Sequence, residues 1–321
     1  MSAQFRSAQR RDSGRRGRAG ARLIGIASAE MADMVGSVSE MAKTTMGLIA
    51  GNRSLPIEFA RLARQEGTLR VVAVAFENET DPRIAEFVDE VVWLRVGQLD
   101  RMISAFAERG VRRCVMLGQI APKNLFDLRP DLRAMRLLWR LKAKNAHTIF
   151  GAIAEELKKD GIELVEATPW LRPLMPGVGF RLGPALDADQ ESDVRFGFHI
   201  AKQISKLEIG QTVVVRRGTV LAVEAFEGTD HCLARGGALA GSGGGAVAVK
   251  VAKSGHDMRF DIPTVGSKTV EVCAENGVAV LAFEAGKTLV LEMEVVSTAA
   301  AKLGISVVAV EFEACQDSKA G

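Results

Sequence analysis

From Met46 onward the apolar positions switch repeatedly between two rhythms. Short unbroken runs rich in β-branched residues predict buried strands, and runs with apolar residues three and four apart predict helices. Met46–Ala50 is the first strand and ends in a glycine turn. Pro56–Glu66 has helical spacing, with Pro56 in the first turn where its missing N–H costs nothing. Arg70–Phe76 and Val91–Leu94 are strands, Leu99–Arg109 is an amphipathic helix closed by Gly110, and Cys114–Leu117 is a further strand. Helices are predicted over Leu132–Ala143 and Thr148–Lys159, the second ending at Gly161 before the strand Ile162–Val165. Strands separated by helices imply parallel pairing with crossover helices, a Rossmann-like sheet.

Residues 169–184 break this rhythm with four of the nine prolines and several glycines, as expected of a domain boundary. The second half restarts with the helix Asp189–Lys206 and a hairpin of Thr212–Arg216 with Thr219–Ala225 across Arg217 and Gly218. Then come the helix Thr229–Ala240, a glycine-rich turn over 241–245, the strand Ala246–Ala252 and a loop from Asp257 to Pro263. The helix Thr269–Asn276 closes at Gly277; Val278–Phe283 and Thr288–Leu291 are strands, Val295–Leu303 a helix and Ile305–Glu311 a last strand. The expected class is α/β: a Rossmann-like parallel-sheet domain over 46–172, a Pro/Gly-rich linker over 173–188, and a smaller mixed α/β catalytic domain over 189–315.

Residues 1–45 stand apart. They are Arg-, Gly- and Ser-rich at the start, with at most a weak helix over 28–42, and are expected to be a disordered basic extension. Met46 or Met41 is a candidate start of translation, and the alternative role of the extension is an RNA-binding or membrane-surface arm. The extension also explains the charge. It carries +4, so the net +3 of the chain leaves −1 on the rest, and a basic whole-chain balance is no argument for a nucleic-acid partner. At 47% hydrophobic and 25% charged residues, composition is that of a globular chain with a sizeable core. Cys114, Cys232, Cys273 and Cys315 share no metal-ligand spacing; the first three sit among apolar neighbours and are expected as buried free thiols, consistent with a reducing compartment. No apolar run reaches the ~18–20 residues of a membrane-spanning helix. Leu23–Ser28 is too short for a secretory signal.

Four segments carry candidate chemistry. Gly51, Asn52, Arg53 and Ser54 join a strand to a helix, where backbone N–H groups favour a phosphate; a plain turn is the alternative. Gly118 to Lys123 follows another strand of the same sheet, so Gly51 and Gly118 are expected at one crevice, with Lys123 as a phosphate-reaching charge or a solvated lysine. Glu224 and Glu227 leave a strand, Gly228 turns, and Thr229 or Asp230 is placed to cap the next helix. Arg259, Asp261 and Thr264 surround a Pro-Thr turn expected to open a helix; Asp and Glu oxygens suit Mg²⁺, while an Asx turn is the alternative. His147, His199, His231 and His256 show no zinc spacing, and no serine sits in a nucleophile elbow.

Taken in order, these strings resemble the UDP-2,3-diacylglucosamine pyrophosphatase family of the LpxI type. They are Gly47-Leu-Ile-Ala-Gly51 with Leu55-Pro56, Gly118 with Pro122, and Leu207-Glu-Ile-Gly210-Gln211. The most specific pair is Val220-Leu-Ala-Val-Glu224-Ala-Phe-Glu227-Gly-Thr-Asp230 followed by Asp261-Ile-Pro-Thr-Val-Gly266. The likeness spans roughly 46–312. It implies a Mg²⁺-dependent hydrolase of lipid A biosynthesis that splits UDP-2,3-diacylglucosamine into UMP and 2,3-diacylglucosamine 1-phosphate, in the cytoplasm at the inner membrane surface.

Under that resemblance Asp261, Glu227 and Asp230 are the candidate catalytic residues, and Asp261 and Glu224 the metal ligands. Gly51, Asn52, Arg53, Ser54, Gly118, Lys123, Gly228, Thr229, Arg259 and Thr264 are the candidate substrate contacts. The implied partner is a glycolipid nucleotide-sugar, with peripheral membrane contact, no nucleic acid and a homodimer allowed. Its acyl chains would lie along an apolar groove between domains, with the linker as a hinge. One departure stands out: Asn145-Ala146-His147 replaces the Gly-Asp-Asp common in the family. The rival functions are a nicotinamide-dependent oxidoreductase and a non-catalytic nucleotide-sugar or lipid-binding protein.

Overall fold

Strand β1 (Thr44–Ala50) is apolar at nearly every position because both its faces are covered. In the computed structural model, which describes residues 43–120, 130–141, 146–253, 257–260 and 262–312, it forms the centre of a five-stranded parallel sheet. After β1 come α1 (Leu55–Glu66), β2 (Leu69–Phe76), a 3₁₀ turn over Pro82–Glu86, β3 (Glu90–Leu94), α2 (Leu99–Glu108) and β4 (Arg113–Leu117). Helices α3 (Leu132–Arg140) and α4 (Ala146–Lys159) then lead to β5 (Glu163–Leu164). The strand order is β3-β2-β1-β4-β5. The chain therefore reverses its direction of winding beside β1, and the crevice beyond the carboxyl ends of β1 and β4 is the place where open α/β sheets take ligands. Phe59, Ala60 and Ala63 of α1 cover one face; Ile103 and Phe106 of α2 with Leu157 of α4 cover the other.

The proline-rich stretch is ordered. It forms the short helix α5 (Thr168–Leu171), a 3₁₀ turn over Arg172–Leu174 and the strand β6 (Arg181–Leu182). Beyond it are α6 (Ala188–Lys206), β7 (Thr212–Arg216), β8 (Thr219–Val223), α7 (Thr229–Leu239), β9 (Ala246–Lys250), β10 (Thr264–Val265), α8 (Ser267–Glu275), β11 (Val278–Glu284), β12 (Leu289–Val290), α9 (Met293–Leu303) and β13 (Ser306–Val310). The second sheet is mixed, in the order β6-β13-β11-β9-β7-β8, with β9, β11 and β13 mutually parallel. Helix α6 opens with a capping box between Asp187 and Gln190 and packs Val194, Phe198 and Ala201 on one face. Leu233, Val270 and Val296, from α7, α8 and α9, fill the other. The buried carboxylate of Asp193 is structural: it accepts the N–H groups of Arg217 and Gly218, each at 2.7 Å, and so fixes the β7–β8 turn.

The two sheets share a core. Ile262 and Leu289, from the second half, are buried among Phe59, Ala75 and Leu117 of the first cluster, and Phe260 stacks on Phe150 of α4 at 6.1 Å. Two local expectations change. Thr264 starts the two-residue strand β10, paired with β12, and the helix opens only at Ser267 after Gly266. The β6 strand pairs antiparallel with β13, so the second sheet begins inside the stretch expected as linker.

Candidate functional site

The turns after β1 and β4 meet backbone to backbone. Gly51 N–H donates to Leu117 O at 2.8 Å and Asn52 N–H to Gln119 O at 2.7 Å. A Cβ on Gly51 would stand 2.6 Å from Gln119 O, and one on Gly118, at φ +87°, 2.5 Å from Asn52 O. Only glycine allows this approach. It sends Arg53 into the crevice, where it has no carboxylate partner among the described residues. Ser54 holds the cap position of α1 without a side-chain cap bond, so the Leu55 and Ile57 N–H groups, on either side of Pro56, have no cap from it. Asn52 is not among the residues that line the cleft; its Nδ2 donates to Glu79 Oε2 at 3.0 Å.

The opposite wall comes from the second sheet. A cleft of about 500 Å³ is lined by Arg53, Gly118 and Gln119 on one side and by Gln211, Glu224, Glu227–His231, Lys250 and Thr264 on the other. Glu224 follows β8, and its backbone N–H bonds Thr212 O at 2.9 Å, which turns the side chain inward until it is only 7% exposed. Oε1 accepts from Thr229 Oγ1 at 2.9 Å, whereas Oε2 is buried without a partner among the described residues. Gln211 Oε1, in the same lining, is likewise buried with no partner among the described residues. Lys250, at the end of β9 and also 7% exposed, donates to Thr264 O at 3.1 Å and lies 3.4 Å from Thr229 Oγ1.

Thr229 and Asp230 do not cap α7. Gly228, at φ 84°, takes the cap position and can offer no side-chain oxygen; Thr229 instead turns its hydroxyl to Glu224. Helix α8 also starts uncapped, at Gly266, with Thr269 in the cleft wall. Three helices thus open on the cleft with backbone N–H groups that no side chain caps. Such ends carry partial positive charge and suit an anion.

Glu227 accepts from Arg235, and this bond, ahead of the others it makes, holds its carboxyl below its ordinary pKa. It stands on the cleft wall in an ion pair with Arg235. Asp230 is half exposed, 3.5 Å from Lys268. Arg259 is paired with Asp257 and lies over the Phe260 ring at 5.0 Å, and it does not line the cleft. Asp261, Lys123 and Asn145, and the side chains of Ala146 and His147, lie outside the described residues; Phe260 and Ile262, on either side of 261, line the cleft. Cys232 is an inert buried thiol, pushed up to about 12 chiefly by burial; Cys114 and Cys273 are held there by the same cause.

Among the described residues no group of three or more His, Cys, Asp or Glu is disposed to hold a metal ion. The unpartnered oxygens of Glu224 and Gln211 are nonetheless the donor type that Mg²⁺ takes, alongside substrate phosphates. Gln211 and Lys250 are absent from the candidates drawn from the sequence. Lys250 ends an apolar strand, a place where solvated lysines are common; only its burial marks it.

Comparison with known proteins covers nearly all of this architecture. The LpxI N-terminal domain model matches residues 45–174 and the LpxI C-terminal domain model residues 178–308. A curated relative, UDP-2,3-diacylglucosamine pyrophosphatase LpxI of Caulobacter vibrioides, is 30% identical over 276 residues, covering 83% of this chain and 97% of that protein. Among solved structures, the biotin carboxylase domain of Hydrogenobacter thermophilus 2-oxoglutarate carboxylase is 18% identical, covering 54% of this chain and 35% of that one at a TM-score of 0.23. Glycinamide-RNase-transformylase T from Mycobacterium tuberculosis is 14% identical, covering 57% and 44% at 0.22. Scores this low carry no argument. With both domain models matched in order and a full-length relative, the chain belongs to the LpxI family.

Proposed function

We propose that this protein hydrolyses the pyrophosphate of UDP-2,3-diacylglucosamine to UMP and 2,3-diacylglucosamine 1-phosphate, with Mg²⁺, at the cytoplasmic face of the inner membrane. The observation that carries the reading is the cleft itself: three uncapped helix starts, Arg53 and Lys250 converge around one buried carboxylate. A diphosphate needs such a positive, preorganised surround, because negative charge spreads over its oxygens as the bridge breaks. A rim ion pair and a buried carboxylate with a vacant acceptor, both close to those donors, suit an acidic substrate held by a cation.

Glu224 and Asp261 are the residues to hold Mg²⁺, with Gln211 as a neutral oxygen donor. When bound, the ion neutralises phosphate charge and polarises the phosphoryl oxygens. Thr229 fixes the Glu224 rotamer through its hydroxyl, and Lys250, held by Thr264 O, sets a positive charge beside that pair. Arg53 and the α1 start face them across the cleft and steady the far phosphate. Asp230, half exposed at the first turn of α7, is the carboxylate placed to orient an incoming water.

The deciding measurement is incubation of the purified chain with UDP-2,3-diacylglucosamine, scored for UMP, with Mg²⁺ and with chelator. UMP release that chelation abolishes is expected. Intact substrate after prolonged incubation with Mg²⁺ sinks the reading, and release unaffected by chelator sinks its metal part.

A further inference from the structure

Helix α3 is apolar on two faces. Ala134 and Leu137 point inward into the core shared with α2 and α4. Leu132, Met135 and Trp139 point outward, 70%, 40% and 84% exposed. Their spacing of three and then four residues puts them on one stripe of the helix. Arg136 and Arg140 are exposed along one edge of this stripe, where they line a groove with Asp131 and Glu156, and neither makes an ion pair among the described residues. Arg133, by contrast, is turned to α4, where it pairs with Glu156 and Asp160.

Single exposed apolar residues need no explanation, but a Trp, a Met and a Leu in line, edged by two arginines, do. A helix that lies in a membrane interface has this character: apolar side chains enter the headgroup boundary and cations meet anionic lipid. Tryptophan is the side chain most at home at that boundary, with its ring in the apolar layer and its N–H in the wet one. We propose that the outer face of α3 docks this protein on an anionic phospholipid bilayer. A second copy of the chain fits the stripe less well, because a two-fold contact would gather the Arg136 and Arg140 charges of both copies into one seam. Among the described residues no helix is long and apolar enough to cross a membrane, so docking is by surface contact. The proposal rests on the proposed function in one respect: a glycolipid substrate is what gives such a surface its use.

The test is sedimentation of the full chain with vesicles of phosphatidylcholine alone and of phosphatidylcholine mixed with phosphatidylglycerol. The wild-type chain is expected to follow the anionic vesicles, less so at high salt. The triple variant Arg136→Glu, Trp139→Ser, Arg140→Glu is expected to partition at least about tenfold less, since each arginine near a charged surface is worth roughly fivefold. Its melting temperature reports that it folds, and Leu207→Ser, which removes an exposed apolar residue elsewhere, is expected to bind as wild type does. The proposal is overturned if the triple variant partitions like wild type, or if wild type ignores both vesicles or binds them equally. It is also overturned if light scattering shows the variant only halving an oligomer's mass. Hydrolysis in detergent micelles separates the two claims. Equal UMP release by wild type and triple variant places the defect in docking, and no release by either sinks the function while partition still decides the surface.

Discussion

Glu224 is a costly residue to keep as a purely structural element. A buried carboxylate oxygen without a hydrogen-bond partner costs about 1–3 kcal/mol; among the described residues Glu224 Oε2 has none, and its neighbour Gln211 leaves a second such oxygen in the same wall. Glu224→Gln keeps the shape and the bond from Thr229 while removing the charge. It is expected to leave thermal stability unchanged or slightly raised and to lower UMP release at least ~100-fold, a loss of the size found when a positioned acid–base or charged group is removed. Release within a few-fold of wild type, read in the same assay, removes Glu224 from the chemistry. At this scale the sequence exposes some residues and hides others. A glutamate closing a Val- and Ala-rich strand is conspicuous in the string. Lys250 is not, because lysine at a strand end is ordinary until the second sheet and β10 close over it.

Elements set where those residues stand. The crevice between β1 and β4 exists because two glycines let the strand ends touch, so Gly118→Ala is expected to destabilise the protein by roughly 1–3 kcal/mol or more from its positive φ and the crowding against Asn52 O. Gly67→Ala is the control: its φ is +71°, yet an added Cβ meets nothing within 4 Å, so only the backbone cost remains. Urea unfolding of the two variants measures the difference, and equal losses would mean that the close approach carries no weight. The α3–α4 pairing has a pH signature. Lys159, and then Arg133, hold Glu156 below its ordinary pKa. Its contribution is therefore complete above the unfolded-state value of about 4.3 and is lost as pH falls from there through the lowered folded value. The gap in melting temperature between wild type and Glu156→Gln should be widest near neutrality and close in acid; a constant gap from neutral pH to pH 3 contradicts this. The long strands and amphipathic helices behind these features are legible from periodicity. The caps are less so: Thr229 reads as a capping residue, but the Glu224 carboxylate, five residues earlier in the same turn, takes its hydroxyl instead.

Across the whole molecule, from Thr44 on, the two sheets are joined by shared core as well as by chain. Ile262 and Leu289 are buried in the first sheet's cluster, and exposing each would cost about 1.5–3 kcal/mol, which a hinge at residues 173–188 would have to meet on opening. A single calorimetric transition is expected, and Leu289→Ala should lower it as a unit by about 2–5 kcal/mol. Two resolved transitions in the wild type would show that the shared core does not couple the sheets. The amino-acid sequence by itself determined the α/β class, the parallel first sheet and the turns that carry glycine, because strand and helix periodicity and left-handed turns are local properties of the chain. Tertiary structure alone decided that the turn after β8 faces the crevice of Gly51 and Gly118, and that Gln211 and Lys250 line the same cleft. Burial and pairing between residues far apart in the chain depend on how the sheets stack, and no local pattern encodes that.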